Sequence, residues 1–388
     1  MMKEDDKIQE FALFGGPLHW LASRLGLVSD GTNTTLLGVA LGVLVWGVLM
    51  LLALLQGFGY KMFSLAVIGV HVRLLGAIPL FFICESWVAP QMAEFVRNIR
   101  RSGVVPRKVL PALASEIIRA DRLQSSWLSE ALCLLAAVIL PLIGTQLHLT
   151  GATATHDASR NLAEGTLVSR WYWFVCLPLF RFLMARWFWR LGLWSYFLWR
   201  VSKLDLNLVP THPDGTAGMG YLEVVHIHFT PMIAALSAVQ SASFAEEISA
   251  GRMTFDSIYP GLVLILILEA ALFLGPLFIF SIKLWACRVK GLSDYMAFAA
   301  HYVNGFDRKW LGTDVPREQD LLGTPDLQSL ADLSNSVGIV RNMLAAPLSM
   351  NLLANLAMAA LLPMLPLFLL RYPVAELARK LFTTMTGL

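Results

Sequence analysis

The chain has 388 residues, of which 56% are hydrophobic and 15% charged, where a soluble protein carries about 25% charged residues. That balance excludes an ordinary soluble domain and points to several membrane spans. A net charge of +3, with no basic face interleaved with aromatics outside the apolar runs, excludes nucleic acid as a partner.

The N-terminus, MMKEDDKIQEF, is acidic and polar, unlike a cleavable signal peptide, so insertion is expected to rely on the spans themselves. In segment 1–34, Phe11, Phe14, Leu18, Leu21 and Leu25 alternate at spacings of three and four, one stripe of an amphipathic helix. Gly15, Gly16 and Pro17 interrupt the stripe, which predicts two short helices on the membrane surface or packed under the bundle. Residues 35–87 hold the first two spans, about Leu36–Leu55 and Phe63–Trp87. Each is long enough to cross about 30 Å of hydrocarbon at about 1.5 Å per residue. The second carries His71, Arg73 and Glu85. Segment 88–126 is basic and helical, so it is expected in the cytoplasm, where short loops rich in Lys and Arg are retained.

Segment 127–285 contains spans three to six. The third, Trp127–Leu147, leads to an external loop. The fourth, Trp171–Trp199, is aromatic and carries Arg181, Arg186 and Arg190. At about 100° per residue, Arg186 and Arg190 share a face, while Arg181 lies nearly opposite Arg190. Arg186 and Arg190 are expected to snorkel to the cytoplasmic interface, with Trp187, Trp189 and Trp194 facing lipid. Arg181 is the deepest and calls for an anion or an acid partner, Glu85 or Glu269. The polar turn 201–219 precedes the fifth span, and the sixth, about Pro260–Trp285, contains Glu269 and a Gly275-Pro276 pair. Segment 286–346 is polar and expected in the cytoplasm. The seventh span falls within 347–371, and an amphipathic tail, 372–388, follows. Seven crossings with a cytoplasmic N-terminus put the strongly basic loops on one side, Arg371, Arg379 and Lys380 after the last span excepted. The expected fold is therefore an all-α polytopic membrane helix bundle of about seven transmembrane helices with cytoplasmic helical loops.

An ionisable residue within a span is a functional candidate by default. Arg73, Arg181, Glu269, His71 and Glu85 form the candidate transport pathway, with Arg73 and Arg181 making an electropositive interior suited to a small anion. The competing reading is that the same groups form ion pairs that only fix helix register. In PTHPDGTAGMG, two prolines and Asp214-Gly215 predict a rigid turn, and Thr211, His212, Asp214 and Gly215 form a candidate anion-binding turn next to a helix start. A loop metal site from His212, Asp214 and one helix residue is the alternative there. His226 and His228 differ by about 200° on a helix and cannot chelate together.

The four cysteines, Cys84, Cys133, Cys176 and Cys287, show neither disulfide nor zinc spacing. No GxSxG, HExxH, Walker or Rossmann pattern occurs, and no cofactor is implied. At PTHPDGTAGMGYL and LQSLADLSNSVGIVRNM the chain resembles a group of uncharacterised bacterial multi-pass membrane proteins, a resemblance that implies an inner-membrane setting and transfers no activity. The leading functional expectation is a channel or transporter, homo-oligomeric and favouring anions. The alternatives are a membrane-anchored sensor or assembly subunit, and a membrane-embedded enzyme using the His212 to His228 region.

Overall fold

A computed structural model of the chain describes residues 33–146, 166–311, 324–371 and 383. The described residues form helices and turns without a strand. In chain order they are α1 (Asn33–Leu55), α2 (Leu65–Arg101), α3 (Leu110–Gln124), α4 (Trp127–Gln146), α5 (Leu167–Ser202), α6 (Tyr221–Ser249), α7 (Phe255–Trp310), α8 (Pro325–Asn342) and α9 (Met350–Phe368). Six of these, α1, α2, α5, α6, α7 and α9, are long and apolar enough to cross a membrane. The third expected span corresponds to α4, a helix of 20 residues. The chain is thus an all-α, multi-pass membrane protein. The amphipathic stripe before residue 33, most of the expected external loop and the tail beyond residue 371 lie outside the described residues.

Two helices outrun their expected spans. α2 continues through Pro90 to Arg101 because Met92, Phe95, Val96 and Ile99 recur at helical spacing and are all buried. α7 runs for 56 residues, about 84 Å, well over twice the hydrocarbon thickness. Segment 286–346 therefore begins as a continuation of a span, and α8 folds back along it. Lys309 Nζ and Trp310 Nε1 both donate to Asp326 Oδ2, at 2.7 and 3.0 Å.

The core is aromatic. Trp194 is fully buried, edge-on to Phe95 at 5.7 Å between ring centres and stacked on Phe197 at 5.8 Å. Trp187 is buried against Phe229, which in turn meets Phe273. These two tryptophans were expected to face lipid; instead they fill the space between α2, α5, α6 and α7, where each ring removes a large apolar area from other contacts. The outward faces of α1, α4 and the first half of α7 present Leu36, Val43, Leu132, Leu135, Leu264 and Ile267, side chains that hydrocarbon accommodates at no cost. α1 lies close on α2 because Gly38 leaves room for the Phe82 ring; a Cβ there would stand 2.5 Å from Phe82 Cβ. Between α3 and α5, Arg200 makes two hydrogen bonds to the Glu116 carboxylate, at 2.9 and 2.6 Å.

Candidate functional site

Two polar centres sit in the apolar core, both between α2 and α5. The first forms where each of these helices widens into a π-helical turn, Val72–Ala77 in α2 and Tyr172–Cys176 in α5. Such turns interrupt the regular ladder and recur at functional positions. Arg73, 2% exposed, donates from Nη1 to the Tyr172 hydroxyl and from Nη2 to Ser243 Oγ, each at 3.1 Å. The same Nη2 lies 3.9 Å from Glu246 Oε2 on α6, while Glu246 Oε1 accepts the Gly69 backbone N–H at 2.7 Å. Gly69 is required by close approach: a Cβ there would stand 2.7 Å from both Arg73 Nη1 and Glu246 Oε1. Three spanning helices thus meet on one guanidinium, which makes the centre a lock as well as a charge.

The second centre lies twelve residues further along α2, about 18 Å. Arg190 donates from Nη1 and Nη2 to the two carboxylate oxygens of Glu85, at 2.8 and 3.1 Å. The pair is buried, and the Arg190 guanidinium also lies over the Trp187 ring at 5.5 Å. Arg190 does not snorkel, because Glu85 inside the bundle satisfies its fork more fully than an interface would. Arg186 precedes it by one turn on the same face. Its Nη2 is buried and has no acceptor among the described residues, and the same holds for Trp189 Nε1. Arg181 lies on α5 between the two centres, half-buried.

The candidate pathway residues are therefore distributed rather than clustered. Glu85 pairs with Arg190, and Arg73 pairs with Glu246. Among the described residues Glu269 has no cation as a hydrogen-bond partner: Ser237 Oγ donates to its carboxyl oxygens, both at 3.1 Å. It borders a cavity of about 330 Å³ walled by Ile233, Leu266, Phe273, Leu356 and Ala360. His71 is held between helices, its Nδ1 accepting from Trp46 Nε1 at 2.8 Å and its Nε2 facing the Met62 carbonyl at 2.5 Å. A carbonyl only accepts, so Nε2 carries the proton. Glu246, Tyr172 and Ser243 are the site residues that sequence reasoning missed.

The polar turn is closed by its own acid. Asp214 Oδ1 accepts the backbone N–H groups of Thr216 and Gly218 at 2.9 and 3.1 Å, and Oδ2 accepts that of Gly220 at 2.8 Å. His212 Nδ1 lies 2.7 Å from Oδ1. Burial of Asp214 opposes ionisation, but the backbone donors of Thr216, Gly220 and Gly218, with His212, outweigh it and hold the carboxyl below the usual aspartate range. The backbone N–H groups of Thr216, Gly218 and Gly220, which follow the candidate anion-binding residues Thr211, His212, Asp214 and Gly215, thus point at Asp214. The turn also serves as a joint. The Leu344 N–H donates to the Gly215 carbonyl at 2.8 Å, the Asn207 N–H donates to the Val104 carbonyl at 2.7 Å, and Pro210 packs on Gly291 of α7.

Among the described residues, no three His, Cys, Asp or Glu side chains converge as a metal site would require. His226, buried, faces the Phe273 carbonyl with Nδ1 at 2.7 Å and accepts from Trp194 Nε1 with Nε2 at 3.3 Å. His228 Nδ1 faces the Val224 carbonyl at 2.7 Å. The two histidines serve different neighbours, as their angular offset predicts. The chain matches no family model, and neither the curated proteins nor the solved structures give a significant match.

Proposed function

We propose that this multi-pass membrane protein is a channel or transporter for small anions, working as a homo-oligomer in a bacterial inner membrane with its N-terminus in the cytoplasm. The observation that carries the reading is Arg186, whose buried Nη2 has no acceptor among the described residues although it stands one turn from the Glu85–Arg190 pair. A buried donor without an acceptor is costly, by roughly 1–3 kcal/mol or more for a charged group, and an anion removes that cost. The wider charge pattern agrees. Arg73, Arg181, Arg186 and Arg190 stand in the apolar parts of α2 and α5, where Arg73 pairs with Glu246 and Arg190 with Glu85. In low-dielectric surroundings a line of guanidinium groups favours a mobile anion over a cation. Arg186 is then the seat, Arg181 a neighbouring step, and the Arg73 centre the support that fixes α2, α5 and α6 around them.

Flux from proteoliposomes holding the purified protein, with chloride, nitrate and potassium compared at matched osmolarity, tests this. Anion-selective flux that falls at least tenfold in Arg186→Gln, with unfolding unchanged, is the expected result. Equal flux in wild type and in Arg186→Gln removes Arg186 from the path; absence of any anion flux removes the proposal. The length of α7 favours a second reading, an assembly subunit that presents the α7–α8 hairpin for docking, and it predicts no flux at all.

A further inference from the structure

The second half of α7, from the end of the sixth span onward, carries a second pattern. Its helix from Ser281 to Trp310 is uninterrupted, and apolar side chains recur in it at strict heptad spacing. The first heptad position is held by Ile282, Val289, Met296 and Val303, the fourth by Trp285, Leu292, Ala299 and Phe306. The repeat extends over 25 residues, about 36 Å. A repeat of seven kept for more than three heptads is the mark of a helix that supercoils with another helix. The first-position line of this seam is open, whereas Leu292, Ala299 and Phe306 of the fourth-position line are half-buried on the flank nearer α8. α8 and the polar turn hold the adjacent flank, where Arg288 Nη2 donates to the Arg341 carbonyl at 2.7 Å and the Tyr302 hydroxyl to the Asp326 carbonyl at 3.1 Å. Ile282, Val289, Met296 and Val303 are left between 38% and 84% exposed. On the side away from α8, the positions that would flank a partner are Ala286, Ser293 and Ala300, all small and exposed, which lets a second backbone approach closely.

We infer that this stripe pairs in parallel with the same stripe of a second copy of the chain. Three observations fix the occupant. The seam is a continuous heptad, so its partner is a helix. Copies inserted in one membrane share one orientation, so two α7 helices run parallel and identical layers meet, Met296 on Met296 and Val303 on Val303. Ile282, Val289 and Val303 are β-branched at the first heptad position, the choice that favours two strands in a parallel coil. The surface lies beyond the anion path, and the inference stands whether or not the protein conducts; its test reads association and not flux.

The full-length protein is first freed of Cys84, Cys133, Cys176 and Cys287 and reconstituted in liposomes. Single cysteines are then placed at Met296 or Val303 on the seam and at His301 or Arg308 on the opposite face, and oxidised with copper phenanthroline. Facing Cα atoms in such a seam stand within disulfide reach of roughly 6 Å. The expected result is covalent dimer at Met296→Cys and Val303→Cys at least fivefold above His301→Cys and Arg308→Cys. Equal yields at the four positions, or higher yield at the outer two, overturn the inference. An independent measurement uses the wild-type chain with its own cysteines: its mass in lipid nanodiscs should be that of a dimer, and Val303→Glu should shift it to monomer with helix content unchanged. A monomeric wild type, or a dimer indifferent to Val303→Glu, overturns it as well.

Discussion

Arg190→Met strands Glu85 as a buried carboxylate without its cation. The wild-type pair makes two charge-assisted hydrogen bonds, at 2.8 and 3.1 Å, inside a site where Arg190 is 2% exposed. Removing one partner of such a pair is expected to destabilise the fold by about 3–5 kcal/mol, roughly two to four orders of magnitude in the folding equilibrium. Replacing both partners, Glu85→Leu with Arg190→Met, removes the stranded charge as well as the bonds, and should recover most of the loss. Reversible unfolding by SDS in mixed micelles, followed by tryptophan fluorescence and far-UV circular dichroism, gives the four corners of the cycle. A coupling of at least about 2 kcal/mol between the two sites is predicted. If the double variant is as unstable as Arg190→Met, or if Arg190→Met changes stability by less than about 1 kcal/mol, the pair is not the buried ion pair described here.

Gly69→Ala should destabilise by about 1–3 kcal/mol through overpacking, because its methyl meets Arg73 Nη1 and Glu246 Oε1 at 2.7 Å; an unchanged unfolding curve would mean the π-turn lock is loose. Gly218→Ala combines a φ of +95° with a Cβ 2.5 Å from Val104 Cγ2 and should be worse than Gly103→Ala, where φ is +74° but nothing lies within 4 Å. Thermal unfolding of the two variants ranks them. For Asp214 the folded state holds the carboxyl below its unfolded range, so its contribution is complete above the unfolded pKa of about 3.9 and disappears as pH falls through the lower folded value. Hydrogen exchange at Thr216, Gly218 and Gly220 should therefore accelerate as pH falls below about 4 once the intrinsic rate is divided out; the same profile in Asp214→Asn would show that another group opens the turn.

The membrane class and the spans were legible because apolar runs of about twenty residues have few other uses. The ends of α2 and α7 were not, since a span that continues as an amphipathic helix changes composition without changing backbone. Pairing was the least legible feature. Glu85 and Arg190 lie 105 residues apart, and the sequence offered Glu85 to Arg181 with nothing local to mark Arg190 as its partner. Glu246 follows the apolar run of the fifth span in the sequence, with nothing local to mark it as buried, whereas the fold places it beneath α2. The tryptophans of α5 illustrate the same limit: their density suited an interface equally well, and only the placement of Phe95, Phe229 and Phe273 decides that Trp187 and Trp194 turn inward. At Asp214 the turn chemistry was readable from Pro, Asp and Gly, but that its carboxylate reaches Gly218 and Gly220 depends on how the loop closes.

Midway along α7 the six residues Gly275–Phe280 are wound as a 3-10 helix. A 3-10 segment advances about 120° and 2.0 Å per residue, an α-helix about 100° and 1.5 Å. Rewinding those six residues would twist the half bearing Val303 by about 120° against the half bearing Glu269 and draw the two together by about 3 Å. A seam that clamps two outer halves together would fix that twist in both copies at once.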